Sequence, residues 1–344
     1  MRVFLSRITR RNLLKASAAG AGLAACGCFG NSRVSAQGGS WKITLIQGVT
    51  ADEFYISMAC GARRAADEAG AQLNVQAGEK WDHTIQTSLL NAVVQAKPDA
   101  ILIAPNDRTA MIAPIQAAID AGIAVFTVDT KIEADIALAN IASDNVEGGR
   151  IAARALAELI GNKGKVYVQN TVAGTSTTDQ RVQGFEEGIK EFPDIEYVGL
   201  DFNNDDPTTA ASQTAAKLQQ HPDLAGIFGT NLFSAEGAAT AVREAGKQGQ
   251  IKIVGFDAGP KQVADLRNEI VDVLIAQHPY DIGYTAVKMA ADYLNTKTAP
   301  TEKVVTTGYS VVTRDNVEDP EIKTYLYVAD CSEIPAATPS PAAQ

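Results

Sequence analysis

A duplicated alternation of short apolar strands and longer Ala-rich helical stretches limits what this chain can fold into. From residue 41 onward, β-branched runs at 42–46, 72–75, 100–104 and 124–128 are separated by amphipathic stretches at 54–69, 84–96 and 110–121. Strand-length apolar runs joined by helices imply βαβ units, and so a parallel sheet covered on both faces. The pattern then restarts, with strand-like runs at 165–169, 195–198, 226–228, 252–254 and 271–275. Lys97-Pro98-Asp99 introduces AILIAPND, and His221-Pro222-Asp223 introduces LAGIFGTN; GIAVFTVDT follows in the first half and IKIVGFDAG in the second. Gly61 lies 37 residues before Pro98, and Gly184 lies 38 before Pro222. These spacings predict an α/β protein of two doubly wound parallel-sheet lobes, with one crossing at 142–145.

Open parallel sheets carry their functional loops at the carboxyl ends of the strands. Two such lobes facing each other would share a cleft, a geometry suited to hinge closure around a ligand. Asp129 and Asp257 end equivalent strands of the two halves and are the best internal sign of that cleft.

The chain begins with Arg2, Arg7, Arg10, Arg11 and Lys15, followed by a small apolar run at 16–26. That run is shorter than the roughly 20 residues of a membrane span, and the combination reads as an export signal. The TRRNLLK stretch at 9–15 carries the arginine pair of the Tat route. Leu23-Ala24-Ala25-Cys26 resembles a lipobox, making Cys26 the expected lipidation site and membrane anchor; Val34-Ser35-Ala36 offers a competing cleavage site. A loose dinucleotide fingerprint at 20–25 lacks the strand and helix that such a motif needs. Residues 328–344, ending in a Pro-, Ala- and Ser-rich stretch, are expected to form a flexible tail.

Removing residues 1–25, whose five charges are all positive, takes the net charge from -10 to -15. So acidic a body is a poor partner for nucleic acid. Outside the signal region stand Cys60 and Cys331, which could pair in an oxidising compartment. Sequence does not say whether they meet, and a buried free Cys60 is the expected state. His83, His221 and His278 have no ligand spacing, so neither a metal nor a cofactor is expected. An exported enzyme is disfavoured, because the mature chain has no haem or iron–sulfur cysteine set and no His-centred triad. A repressor would need a helix-turn-helix where the export signal stands.

Several stretches, in order and at compatible spacing, resemble the periplasmic sugar-binding proteins of the ribose and galactose type. They are Phe54-Tyr55, FTVDT at 126–130, IASDNVEGGR at 141–150, AGTSTTDQRVQGF at 173–185, GTN at 229–231, VGFDAGP at 254–260 and IAQHPYDIG at 275–283. The resemblance spans nearly all of 41–327. It implies lobe one from 41–143 plus 278–304, lobe two from 144–277 plus 305–327, and hinge strands near Ser143, Gln277 and Val304. It also implies a helix from 279 to about 301 packed on lobe one. The implied activity is that of a monomeric, non-enzymatic solute-binding component of an ABC importer, partnered by a permease and by a neutral sugar or sugar alcohol. A sensor that presents its ligand to a membrane receptor would have the same fold and site.

Sugar recognition joins apolar C–H faces to aromatic rings and hydroxyls to fixed donors and acceptors. The resemblance makes Phe54 and Tyr55 stacking rings, with a core role as the alternative. Asp52 matches a hydroxyl-binding position usually held by Asn, and would equally suit a helix N-cap. Asp129, Asp257, Asn231 and Gln277 match ligand contacts. Arg181 matches an arginine that reaches across the cleft, a surface ion pair being its alternative. Thr130 stands where ribose-type relatives carry Arg, which removes a forked donor. Asp205 falls near an aromatic contact of the second lobe, so the ring sandwich would be one-sided unless Trp81 supplies the missing face.

Overall fold

A computed structural model describes residues 40–334; the expected signal, Cys26, the Ala36 cleavage site and residues 335–344 lie outside the described residues. The first half runs β1 (Lys42–Ile46), α1 (Glu53–Ala69), β2 (Gln72–Gln76), α2 (His83–Gln95), β3 (Ala100–Ile103), α3 (Ile112–Asp120), β4 (Ala124–Val128) and β5 (Asn140–Ser143). The second half runs α4 (Asn145–Leu159), β6 (Gly164–Asn170), α5 (Ser176–Ile189), β7 (Ile195–Phe202), α6 (Pro207–Gln220) and β8 (Leu224–Gly229). It continues with α7 (Leu232–Glu244), β9 (Lys252–Phe256), α8 (Pro260–Arg267) and β10 (Val273–Gln277). The chain then adds α9 (Pro279–Thr296), β11 (Val304–Thr307), β12 (Tyr309–Val312) and α10 (Pro320–Lys323).

Two six-stranded sheets result, ordered β11-β5-β4-β3-β1-β2 and β12-β10-β9-β8-β6-β7. The first is parallel throughout; in the second only β12 runs antiparallel, along β10. Each sheet is apolar on both faces, as the continuous strand runs require. On β3, Leu102 packs with α1 and α9, while Ile101 and Ile103 pack with α2 and α3. On the second sheet, Ile227 and Ile253 face α7 and α8, whereas Phe228 and Val254 face α4 and α5.

The matched glycines have a steric cause. A Cβ on Gly61 would lie on the Tyr280 carbonyl where α1 crosses α9; one on Gly184 would lie on the Val146 carbonyl where α5 crosses α4. Backbone meets backbone at both crossings, which only glycine permits.

Three structural details correct the sequence reading. Residues 305–307 belong to the first sheet, because β11 pairs with β5 from Val304↔Asn140 to Thr307↔Ser143. The run VVTTGYSVV reads as one apolar segment, and the switch of sheets at Gly308 leaves no mark in its periodicity. Cys60 is not free but joined to Cys331, their Cα atoms 5.4 Å apart and 271 positions apart in sequence. The described part of the expected tail is therefore fastened: Val328 N–H donates to Ser57 Oγ (3.0 Å), and Cys331–Glu333 forms a turn of 3-10 helix.

The lobes are joined by links of one residue each. Asp144 separates β5 from α4, His278 separates β10 from α9, and Gly308 separates β11 from β12.

Replacing Gly61 or Gly184 by Ala is expected to cost about 1–3 kcal/mol through overpacking at the crossing. Urea denaturation checks this, and wild-type midpoints in both variants would refute the steric account.

Candidate functional site

The carboxyl ends of the two sheets face each other across a cleft of about 390 Å³ of empty space. The β1–α1 connection supplies Asp52, Phe54 and Tyr55, and the end of β4 supplies Asp129. From lobe two come Thr171, Thr175, Thr177, Thr178 and Arg181 around the start of α5, then Asp205, Asn231, Asp257 and Gln277 from the ends of β7, β8, β9 and β10. Trp81 closes one side from the loop before α2.

Asp129 and Asp257 are structural counterparts in detail. Each has a left-handed backbone, with φ of 58° and 77°. Each donates its N–H to the next strand, Asp129 to Ile141 O and Asp257 to Ile275 O, both at 2.8 Å. Asp is among the few residues that tolerate this conformation, and here it turns a strand end so that its carboxylate meets the cleft.

Their partners differ. Asp129 Oδ2 accepts from the Tyr55 hydroxyl (2.7 Å). Asp257 Oδ1 accepts from Gln277 Nε2 (2.7 Å) and the Tyr327 hydroxyl (2.8 Å), and its Oδ2 accepts from Leu232 N–H (2.9 Å). Asp52 caps α1, accepting from Phe54 N–H at 2.8 Å, and also lines the cleft, so its two readings coexist. Asn231 caps α7 through Ser234 N–H (3.0 Å) and donates to Asp205 Oδ1 (2.8 Å).

Arg181 is buried rather than engaged in a surface ion pair. Its Nε donates to Asn145 Oδ1 and its Nη1 to Thr230 O, both at 2.8 Å, and its guanidinium lies 3.9 Å from the Phe256 ring centre. Uncharged partners thus fix it, and it is the one cation among the described lining residues, against four carboxylates.

Electrostatics follow from that imbalance. Burial, then the charges of Asp205 and Asp257, holds the Asp52 carboxyl well above its usual range. Asp129 is pushed up to about 6 by burial, against the opposing pull of Arg181 and Tyr55. Asp205 also reaches about 6 through burial, opposed by the Asn231 hydrogen bond. Burial and the neighbouring Asp129 likewise raise the Tyr55 phenol.

Phe54 and Tyr55 do both jobs in question: they sit in the lobe-one core and line the cleft, with rings edge to face at 5.1 Å. Trp81 stacks on Tyr55 at 6.3 Å and donates its indole N–H to Asn106 O (2.9 Å). Gly48 leaves room for this pair, since a Cβ there would collide with the Trp81 ring.

Thr130 departs from expectation. It is fully buried, is not a lining residue, and its carbonyl accepts from Asn140 Nδ2 (3.2 Å). The left-handed turn at Asp129 gives the cleft that carboxylate and carries the chain away at the next residue. Sequence reading also missed the lining threonines Thr171, Thr175, Thr177 and Thr178. The TSTT run lay inside a quoted motif, but only its arginine received a role. Tyr327 was missed as well, with no local signal to mark it.

Contacts at the rim draw the lobes together. Arg108 N–H donates to Gly174 O (3.0 Å), the Arg108 guanidinium lies 3.3 Å from Asp179, and Lys131 N–H donates to Ser176 Oγ (2.9 Å).

Comparison with known proteins agrees with this architecture. The sequence profile of the periplasmic binding protein domain matches residues 43–298. The ribose import binding protein of Bacillus subtilis is 31% identical over 245 residues, covering 71% of this chain and 78% of that protein. An ABC transporter solute-binding protein from Agrobacterium vitis, solved with α-D-tagatopyranose, is 46% identical with a TM-score of 0.82, covering 84% of this chain and 99% of that one. A second from the same organism, solved with D-fucose, is 30% identical with a TM-score of 0.79, covering 83% and 99%. With more than half its length matched by the domain profile, and with facing lobes of the same fold, the chain belongs to the periplasmic binding protein family.

Proposed function

We propose that this protein is the solute-binding component of an ABC importer, closing its cleft on a neutral polyhydroxylated ligand, a sugar or sugar alcohol. One observation carries the choice of ligand. Four carboxylates and the partner-free Gln277 Oε1 face the cleft as acceptors, against a single guanidinium, beside the rings of Phe54, Tyr55 and Trp81. Hydroxyl groups donate to carboxylates in strong, charge-assisted bonds, while ring C–H faces suit aromatic walls. An anionic ligand would meet repulsion. The sugars bound by the two Agrobacterium relatives support the same reading.

Ligand contacts are assigned to Asp52, Phe54, Tyr55, Trp81, Asp129, Arg181, Asp205, Asn231, Asp257 and Gln277, with the four threonines completing the lobe-two wall. The protein works outside the cytoplasm, as its family implies. The arginine pair and the Cys26 lipobox support Tat export followed by lipid anchoring, and a monomer is the proposed working form.

A thermal-shift screen of D-tagatose, D-ribose, D-fucose, D-allose and sugar alcohols tests the ligand class. At least one should raise Tm with concentration, because ligand stabilises only the folded form that binds it. Sugar acids and sugar phosphates should not. A shift from amino acids or amines, with none from any sugar, would refute the reading. Asp257→Ala or Arg181→Ala should weaken binding of the active sugar about 10–100-fold, the loss expected for a hydrogen bond to a charged group; calorimetry checks it.

The cleft carboxylates also set a pH dependence. Asp129 and Asp205 hold protons more tightly in the folded protein, to about 6, than at their ordinary value of 3.8. Their stabilising contribution is therefore full below about pH 4 and lost as pH rises through about 6. Tm measured without ligand should fall across that window, and Asp129→Asn should flatten the fall. Equal slopes in wild type and variant would count against the burial account.

A further inference from the structure

The C-terminal segment makes a fourth passage between the lobes, beyond the three one-residue links. Ile322 and Leu326 pack on the lobe-two core, and Tyr327 N–H donates to Ala258 O at 3.0 Å. One residue later the chain is on lobe one, where Val328 N–H meets Ser57 of α1 and Cys331 is bonded to Cys60 of the same helix. Tyr327 stands at the passage and touches both lobes. Its hydroxyl donates to Asp257 Oδ1 (2.8 Å) and accepts from Gln277 N–H (3.1 Å), while its ring meets Phe54 edge on at 5.8 Å.

We propose that residues 326–331 form a covalent strap with two effects on the cleft. Tyr327 positions Asp257 and Phe54 for the ligand, and the Cys60–Cys331 bond limits how far the lobes open. The first effect rests on the cleft being the ligand site; the second does not.

The positioning effect follows from hydrogen-bond bookkeeping. Asp257 has three donors, and two of them, Leu232 N–H and Gln277 Nε2, come from lobe two itself. The third comes from the strap. The same phenol oxygen satisfies the Gln277 N–H, so the two adjacent ligand groups Asp257 and Gln277 are aligned by one hydroxyl. Because the Tyr327 ring abuts Phe54, an aromatic wall of lobe one is set against a carboxylate of lobe two through a single side chain. Tyr327 is a positioning residue, acting through these groups.

The limit on opening follows from chain reach. Leu326 is held on lobe two and Cys331 is bonded to lobe one. Five residues of fully extended chain span at most about 17 Å, so lobe separation at this point stops there. The strap is not packed solid on every side: His278, Tyr280, Tyr325, Tyr327 and Ile334 are among the residues lining a pocket at its flank.

Small-angle scattering of ligand-free protein tests the limit. A Cys60→Ser/Cys331→Ser double variant should show a larger radius of gyration than wild type. A four-residue Gly/Ser insertion after Ala329, which keeps the disulfide, should do the same, and it decides the matter should the double variant fail to fold. Wild-type scattering from a folded strap variant overturns the limit.

Calorimetry with D-tagatose, or with the panel sugar giving the largest shift, tests the positioning. Tyr327→Phe keeps the ring and should weaken binding about tenfold, the lower end expected for a lost hydrogen bond to a charged group. Tyr327→Leu also loses the ring and should bind more weakly still. Lowered ligand-free Tm with an unchanged Kd would make Tyr327 a folding residue only and overturn the positioning. If no panel sugar binds even the wild type, the cleft reading fails and takes the Tyr327 role with it, while scattering still decides the opening limit.

Discussion

A carboxylate taken out of water is costly unless donors surround it, and this protein brings four of them to one cleft. Much of the architecture around the site consists of ways to supply those donors. Asp52 is placed at a helix start, where an N–H is free to meet it. Asp257 draws on a helix N-terminal N–H, a hinge-strand amide and a phenol from the C-terminal segment. Asp129 takes a tyrosine hydroxyl, and Asp205 the side-chain amide of Asn231, which caps α7. Among the described residues none of the four has a salt bridge, and the lone lining guanidinium is itself occupied by neutral groups. The site is thus acidic and rich in acceptors, short of the hydrogen-bond donors that a hydroxyl-rich molecule carries in abundance.

The two lobes solve the same packing problem with different pieces. In lobe two, α4 and α5 cross at Gly149 and Gly184 and are close in sequence. In lobe one the crossing at Gly61 and Gly283 joins α1 to α9, helices separated by the whole second lobe. The first lobe is therefore incomplete until the chain has passed through the second and returned, and neither half can be cut away as a contiguous piece.

Most of the fold was legible because strands buried on both faces and helices of regular length leave strong periodic signals. The paired aspartates were legible too, since duplication put them at matching strand ends. What escaped had physical reasons. The hinge strands near Ser143 and Val304 came from the resemblance, but β11 and β12 share one apolar run, so the change of sheet between them at Gly308 left no mark. Thr130 was assigned because it stands where ribose-type relatives carry Arg, but the left-handed turn at Asp129 redirects the next residue, and sequence does not display φ. Pairing of Cys60 with Cys331 depends on two distant segments meeting in space. Tyr327 meets Asp257 for the same reason, from a segment far along the chain that carries no local signal of the contact.

Asp144, His278 and Gly308, each alone between two regular elements, have a mechanical meaning. A link with one residue of slack tolerates rotation and almost no translation. Three of them act like a door hung on short pins: the lobes swing, but they neither slide past each other nor drift apart. Opening is then nearly a single coordinate. A molecule that enters the cleft meets the opposite wall along one arc, so the Asp129 side and the Asp257 side arrive in a fixed register. Under the proposed sugar-binding role, a hydroxyl misplaced on one stereoisomer would find few alternative lobe arrangements in which to meet its acceptor, so the links as well as the lining groups would bear on selectivity.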